Sequence, residues 1–116
     1  MTGQMFKFTP YIGGLMGLTT DKNHFVYRWF KPGCKVLFSA ARKGKAMSIH
    51  IASDKRGLRK LKQALNEFCE FIFENYTWCD MILGNITRRS IINLAKACGF
   101  TEVYKNDQAT IVMRSR

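Results

Sequence analysis

The chain is short of acids, long apolar runs and ligand spacings. No stretch of hydrophobic residues approaches the ~20 that a helix needs to cross a bilayer, so no membrane span is expected. The first residues, MTGQMFKFTPYIGG, lack the charged-then-apolar layout of a secretory leader, and a cytoplasmic protein is expected. Four cysteines, Cys34, Cys69, Cys79 and Cys98, show no Cys-x-x-Cys spacing and no adjacent histidine. They read as reduced core thiols, with disulfide and metal roles not expected. No Ser-His-Asp set and no Gly-x-x-x-x-Gly-Lys loop is legible, and there is no internal repeat or low-complexity segment. The scarcest class is acid: eight Asp and Glu stand against nineteen Lys and Arg, a net charge of +11. Such a surface favours anionic partners, nucleic acid and phosphorylated cofactors among them.

What is present is enough for one core. With 116 residues, 47% of them hydrophobic, residues 1–116 are expected to form one domain. Its organising stretch is SIHIASDKRGLRKLKQALNEFCEFIFENY, Ser48 to Tyr76. Ser48 to Ala52 has the period-2 pattern of a strand, and Asp54-Lys55-Arg56-Gly57 breaks it. From Leu58, apolar residues at Leu58, Leu61, Leu65, Phe68 and Ile72 line one helical face. A strand entering a helix through a turn rich in cations and glycine presents free N–H groups and the positive end of the helix dipole to anions. Most such turns bind nothing. Here the excess of cations from Arg42 to Lys62, with Asp54 the only acid, favours phosphate.

In chain order, Met5 to Phe8 reads as a short strand and Thr9-Pro10 as a helix start, Thr capping and Pro in the first position. Thr19 to Asn23 is a loop and His24 to Phe30 a strand ended by Pro32-Gly33. Lys35–Ala41 and Lys45–Ser53 form a hairpin around Arg42-Lys43-Gly44. After the long helix come a buried strand, Trp78 to Ile86, and a helix, Thr87 to Cys98, stopped by Gly99. Phe100–Tyr104 and Ala109–Arg114 make a last hairpin. This order predicts an α/β (α+β) fold, a mixed, mostly antiparallel sheet flanked by helices. The strands near Ile51 and Ile82 should run parallel, joined by a right-handed helical crossover.

Three local signals in this order resemble the GNAT superfamily of N-acetyltransferases, over about Phe25 to Arg114. The family's cofactor turn, Arg/Gln-x-x-Gly-x-Gly/Ala, opens a long helix, and Arg56-Gly57-Leu58-Arg59-Lys60-Leu61 stands in its place. Asn85 ends the following strand, as Asn often does in that family. Ala95-Lys96-Ala97-Cys98-Gly99-Phe100 corresponds to the family's Tyr-x-x-x-Gly-Phe helix ending. The chain also resembles small, divergent GNAT-like proteins of phages, which would place it in a host cytoplasm or a virion.

The resemblance implies an acyl-CoA-dependent N-acyltransferase with a GNAT-like sheet, acetyl-CoA (coenzyme A) as cofactor and an amine as acceptor. It implies cofactor contacts at Ile51, Ala52, Arg56, Gly57, Leu58, Arg59, Lys60, Leu61 and Asn85. Two departures bear on chemistry. Arg59 and Leu61 replace the motif glycines that let backbone approach a pyrophosphate, although a guanidinium can bind phosphate itself. Ala95 replaces the tyrosine that would serve as general acid; losing such help typically costs ~10²–10⁴ in rate. Thioester and amine need mainly proximity, so acyl transfer by positioning remains open.

His50, in the strand before the turn, is the candidate general base, and Asp80 on the next strand is a second candidate catalytic residue. A lone strand histidine is more often half-buried structure, and an acid more often pairs with a neighbouring cation. Trp29, Trp78, Phe25 and Phe30 are read as core, and no residue is expected to hold a metal. The readings that compete with the enzyme are a catalytically silent GNAT-like interaction or virion protein and a nucleic-acid-binding domain.

Overall fold

The computed structural model describes residues 7–18, 20 and 24–116. Its elements are β1 (Phe8–Pro10), β2 (Phe25–Trp29), β3 (Val36–Lys43), β4 (Ala46–Ser53), α1 (Lys55–Leu58), α2 (Leu61–Asn75), β5 (Met81–Ile86), α3 (Arg89–Ala97), β6 (Thr101–Lys105) and β7 (Thr110–Ser115). The strands form one seven-stranded sheet in the order β1-β2-β3-β4-β5-β7-β6. Every neighbouring pair is antiparallel except β4 and β5. A parallel pair cannot be joined by a tight turn, and α1 and α2 supply the crossover it requires. The expected fold class and the parallel pairing are both present.

Local chemistry explains most element boundaries. The β3–β4 hairpin turns through Gly44 and Lys45, between the partners Lys43 and Ala46, and Gly44 has φ +64°. A two-residue hairpin loop needs positive φ, which glycine adopts without a Cβ penalty. Gly99 at φ +90° ends α3, with its N–H donated to the Lys96 carbonyl. Between β6 and β7, the Asn106 Oδ1 accepts from the N–H groups of Gln108 and Ala109 at 2.8 and 2.9 Å. This side chain makes the turn that composition alone placed there.

α2 buries Leu61, Ala64, Leu65, Phe68, Cys69, Phe71 and Ile72. Phe68 sits at the centre of the core, stacked on Phe38 with ring centroids 4.1 Å apart and edge-on to Phe8 at 5.1 Å. On the sheet, Phe38, Ala40, Met47 and Ile49 complete this layer. α3 adds Ile92 and Ala95, and Arg114 ties the helices to β7 by donating to Asn66 Oδ1 at 2.9 Å and to the Cys98 carbonyl at 3.0 Å.

Several expectations fail. Thr9-Pro10 does not start a helix: Phe8–Pro10 is an edge strand, with Phe8 opposite Trp29 and Pro10 opposite Tyr27. Phe8 is buried against Phe38, Phe68 and Phe71, and Pro10 is tolerated because it lies on the outermost strand. The long helix does not begin at Leu58 either. α1 is a separate single turn, and the chain breaks at Lys60 (φ −113°, ψ 11°) before α2 starts at Leu61. Leu58 is therefore off the buried stripe and 51% exposed. Trp78, expected in a strand, precedes β5 and packs under the Arg42 guanidinium at 3.9 Å. Phe25 and Phe30, read as core, lie on the surface instead. The strand expected from Met5 lies partly, and the loop from Thr19 to Asn23 mostly, outside the described residues.

Candidate functional site

The parallel pair is short. β4 and β5 are in register only from Ala46–Met81 to Ile49–Gly84. Beyond that point β4 continues to Ser53 on the arm of β3, and β5 continues to Ile86 on the arm of β7. The two strands separate, and a slot of about 250 Å³ opens between them. Ile49, His50 and Ile51 form one wall and Gly84, Asn85 and Ile86 the other. Leu65 of α2, and Ile91 and Ala95 of α3, close it on the core face; Gly17 borders it as well. The β4 edge beyond Ile49 has lost its strand partner, so backbone donors and acceptors join the apolar and polar side chains that line the slot.

Strand alternation assigns faces. Met47, Ile49, Ile82 and Gly84 share the face toward the helices, while Ser48, His50, Leu83 and Asn85 share the other. His50 and Asn85 thus come together across the opening, on one side of the sheet. His24 stands beside His50, ring centroids 5.5 Å apart. Asp80 does not join them. It precedes β5, its N–H donating to the Lys45 carbonyl at 2.8 Å, and lies at the closed end of the parallel pair. Five residues of strand, roughly 16 Å, separate it from Asn85.

The turn after β4 is built differently from the sequence expectation. Asp54 caps α1: its Oδ1 accepts the Gly57 N–H at 2.7 Å, and its own N–H donates to the Lys35 carbonyl at 3.0 Å. The bond from Gly57 is the main cause that holds the Asp54 carboxyl below the ordinary carboxylate range, with the Lys35 backbone and the charges of Arg56 and Arg28 adding to it. Gly57 is buried; a Cβ there would lie 2.7 Å from Val36 Cγ2 and 2.9 Å from the Lys35 carbonyl oxygen. Its glycine serves close packing against β3, and its N–H is already used. The Leu58 and Lys60 N–H groups bond to Asp54 and Gly57 carbonyls. The N–H groups of Leu61, Lys62 and Gln63 open α2, ahead of the first intrahelical bond, from Ala64 to Lys60.

Arg56, Arg59 and Lys60 line a second depression with Lys55, Gly33 and Cys34. Leu61 faces the core. Ile51 borders the slot and Ala52 follows it on the same unpaired edge. Sequence reasoning missed Thr87, Arg88 and Gly17, which also line the slot. Thr87 and Arg88 follow Ile86, the last residue of β5, and the strand end was the only hint of them in the sequence. Three of the cysteines make poor nucleophiles: burial pushes the Cys69 thiol up to about 12, and burial also raises Cys79 and Cys98.

A mixed sheet opened at its single parallel pair, with a crossover helix entering from the opened strand, is the GNAT fold. Solved structures with this fold match the chain. The N-acetyltransferase PseH of Campylobacter jejuni aligns with TM-score 0.68 at 15% identity, over 83% of this chain and 70% of that one. An acetyltransferase of Bacillus subtilis in complex with CoA aligns with TM-score 0.65 at 12% identity, over 82% and 78%. The Vibrio cholerae spermidine N-acetyltransferase SpeG aligns with TM-score 0.63 at 12% identity, over 82% and 67%. No protein-family model and no curated protein sequence matches the chain.

Proposed function

We propose that the chain is an acyl-CoA-dependent N-acetyltransferase, with acetyl-CoA in the slot between β4 and β5. The observation that supports this most is the slot itself, opened by the end of the parallel pairing on a fold shared with N-acetyltransferases. Four of the matching structures contain CoA or acetyl coenzyme A. The fit is physical: a narrow channel with apolar walls and a free strand edge suits an amide-bearing chain such as pantetheine. Its volume admits that arm and leaves the nucleotide outside.

When bound, the cofactor supplies an acetyl group activated as a thioester. The edge of Ile51 and Ala52 offers amide partners along one side, and Asn85 a side-chain amide on the other. Gly57 to Leu61 stands where the resemblance puts the phosphates. With the Gly57 N–H occupied by Asp54, that grip moves to the first turn of α2 and to Arg88 across the slot. His50 accepts the proton that an attacking ammonium must shed, directly or through water. Asp80, at the far end of β5, has no part in this scheme.

The test is calorimetric titration with acetyl-CoA and CoA, followed by thiol release with a panel of amines. Binding that weakens at least tenfold in Asn85→Ala supports the assignment. No binding at millimolar ligand removes the cofactor reading and leaves a GNAT-like interaction scaffold.

A further inference from the structure

His50 and Asn85 meet on the sheet face away from α2 and α3, and that face continues as an uncharged strip. Asn85 stands opposite Ile111, and Ile111 opposite Tyr104, so one row runs from Asn85 to Tyr104 with His50 at its other end across the slot. Leu83, Met113 and Thr101 form the next row on the same face. Leu83, Ile111 and Met113 lie outside the core that the helices build, and each is partly exposed; Tyr104 is 56% exposed. The charged residues of β6 and β7 turn the other way. Arg114 donates to Asn66 Oδ1 and the Cys98 carbonyl, Glu102 pairs with Arg89 and Lys96, and Lys105 stands opposite the buried Thr110. No carboxylate lines the slot either.

This strip selects among amines. A polyamine or amino sugar keeps ammonium groups that do not react and need acids beside them; the strip has none, and a net charge of +11 repels a polycation further. An amine that carries a carboxylate or phosphate finds no cation on the strip, and Arg88, in the slot lining, serves the cofactor in the scheme above. What the strip offers is apolar surface and one phenol ring. Resting on the acetyltransferase reading, we propose that the acceptor is a primary amine on an uncharged, apolar or aromatic body. The body lies on Leu83, Ile111, Met113 and Tyr104, with the nitrogen between His50 and Asn85. Two strand spacings, roughly 10 Å, separate Asn85 from Tyr104, a span that an ethylamine arm and one aromatic ring cover. His50 takes a proton from the ammonium, and the amine nitrogen attacks the thioester carbon. The N–C bond forms as the C–S bond breaks, and the sulfur leaves with the bonding pair and takes the nitrogen's second proton as the CoA thiol.

The experiment is thiol release at saturating acetyl-CoA with three acceptors: phenethylamine, phenylalanine, which adds a carboxylate to the same ring and amine, and spermidine. KM for phenethylamine should be lower than for either other amine by about tenfold or more. Tyr104→Ala should raise that KM by about fivefold, with kcat and acetyl-CoA affinity unchanged. Tyr104→Glu should shift preference toward spermidine, and the exposure of Tyr104 keeps both variants folded. Binding is read apart from turnover by methyl NMR: phenethylamine should move the Leu83, Ile111 and Met113 methyl signals, and spermidine should not. Equal or better use of spermidine or phenylalanine, a Tyr104→Ala enzyme with unchanged KM, or unmoved methyl signals overturns the proposal. So does a dimer in sedimentation that Tyr104→Glu dissociates, since a second copy would then cover the strip. Acetyl-CoA binding without phenethylamine turnover removes the acceptor assignment and leaves the cofactor reading; absence of acetyl-CoA binding removes both.

Discussion

At the residue scale, Gly57 and Asp54 act as a pair. Asp54 holds the Gly57 N–H, and Gly57 lets that turn lie against Val36 and the Lys35 backbone. Gly57→Ala should destabilise by ~1–3 kcal/mol in urea denaturation, because one of the atoms its Cβ meets is a main-chain oxygen that cannot rotate away. Asp54 has a depressed carboxyl, so the stability it contributes is present above its unfolded pKa and disappears as pH falls through the folded one. Asp54→Ala should therefore lose stability at neutral pH and show a shallower decline on acidification than the wild type, read from melts between pH 7 and pH 2. His50 is tested by rate. If it takes the ammonium proton, His50→Gln lowers turnover by ~10²–10⁴ and removes the acid limb of the pH profile, while acetyl-CoA affinity changes little.

Among the elements, α2 is anchored on the sheet by Phe68, which packs against Phe8, Tyr27 and Phe38. That ring is fully buried and stacked on Phe38, so Phe68→Ala should cost ~3–5 kcal/mol by chemical denaturation. The stripe from Leu61 to Ile72 was legible because one buried face imposes a 3.6-residue period on the sequence. The break at Arg59-Lys60 was not, because Leu58 continues the apolar spacing although Asp54 closes the turn before it. Phe8–Pro10 was misread for a related reason: Thr-Pro is an equally good helix start and edge strand, and only Phe8 burying itself among Phe38, Phe68 and Phe71 decides. Of the site, His50 was legible as a residue of the strand before the turn, and Ile51 and Asn85 came from the family resemblance. Thr87 and Arg88, just past the end of β5, were missed because their place in the slot depends on where β5 leaves its partner. The Arg56 and Arg59 side chains turn toward the second depression, a direction set by the α1 turn that the sequence pattern concealed.

For the whole molecule, ligand linkage gives the broadest check. Acetyl-CoA at a hundred times its dissociation constant should raise the melting temperature by on the order of 10 °C, since binding only the folded state adds ~2.7 kcal/mol. The sheet itself predicts how that stabilisation is distributed. β1 to β4 form one raft and β5, β7 and β6 another, and the main-chain seam between them is four register pairs long. Such a seam is a soft mode: the rafts can breathe about it while each stays rigid within. A guest lying along β4 past Ile49 would replace the missing rungs and stiffen the molecule as a splint does. Hydrogen exchange should then slow at slot-facing amides of β4 beyond Ile49, and the two rafts, expected to exchange independently when empty, should begin to open as one.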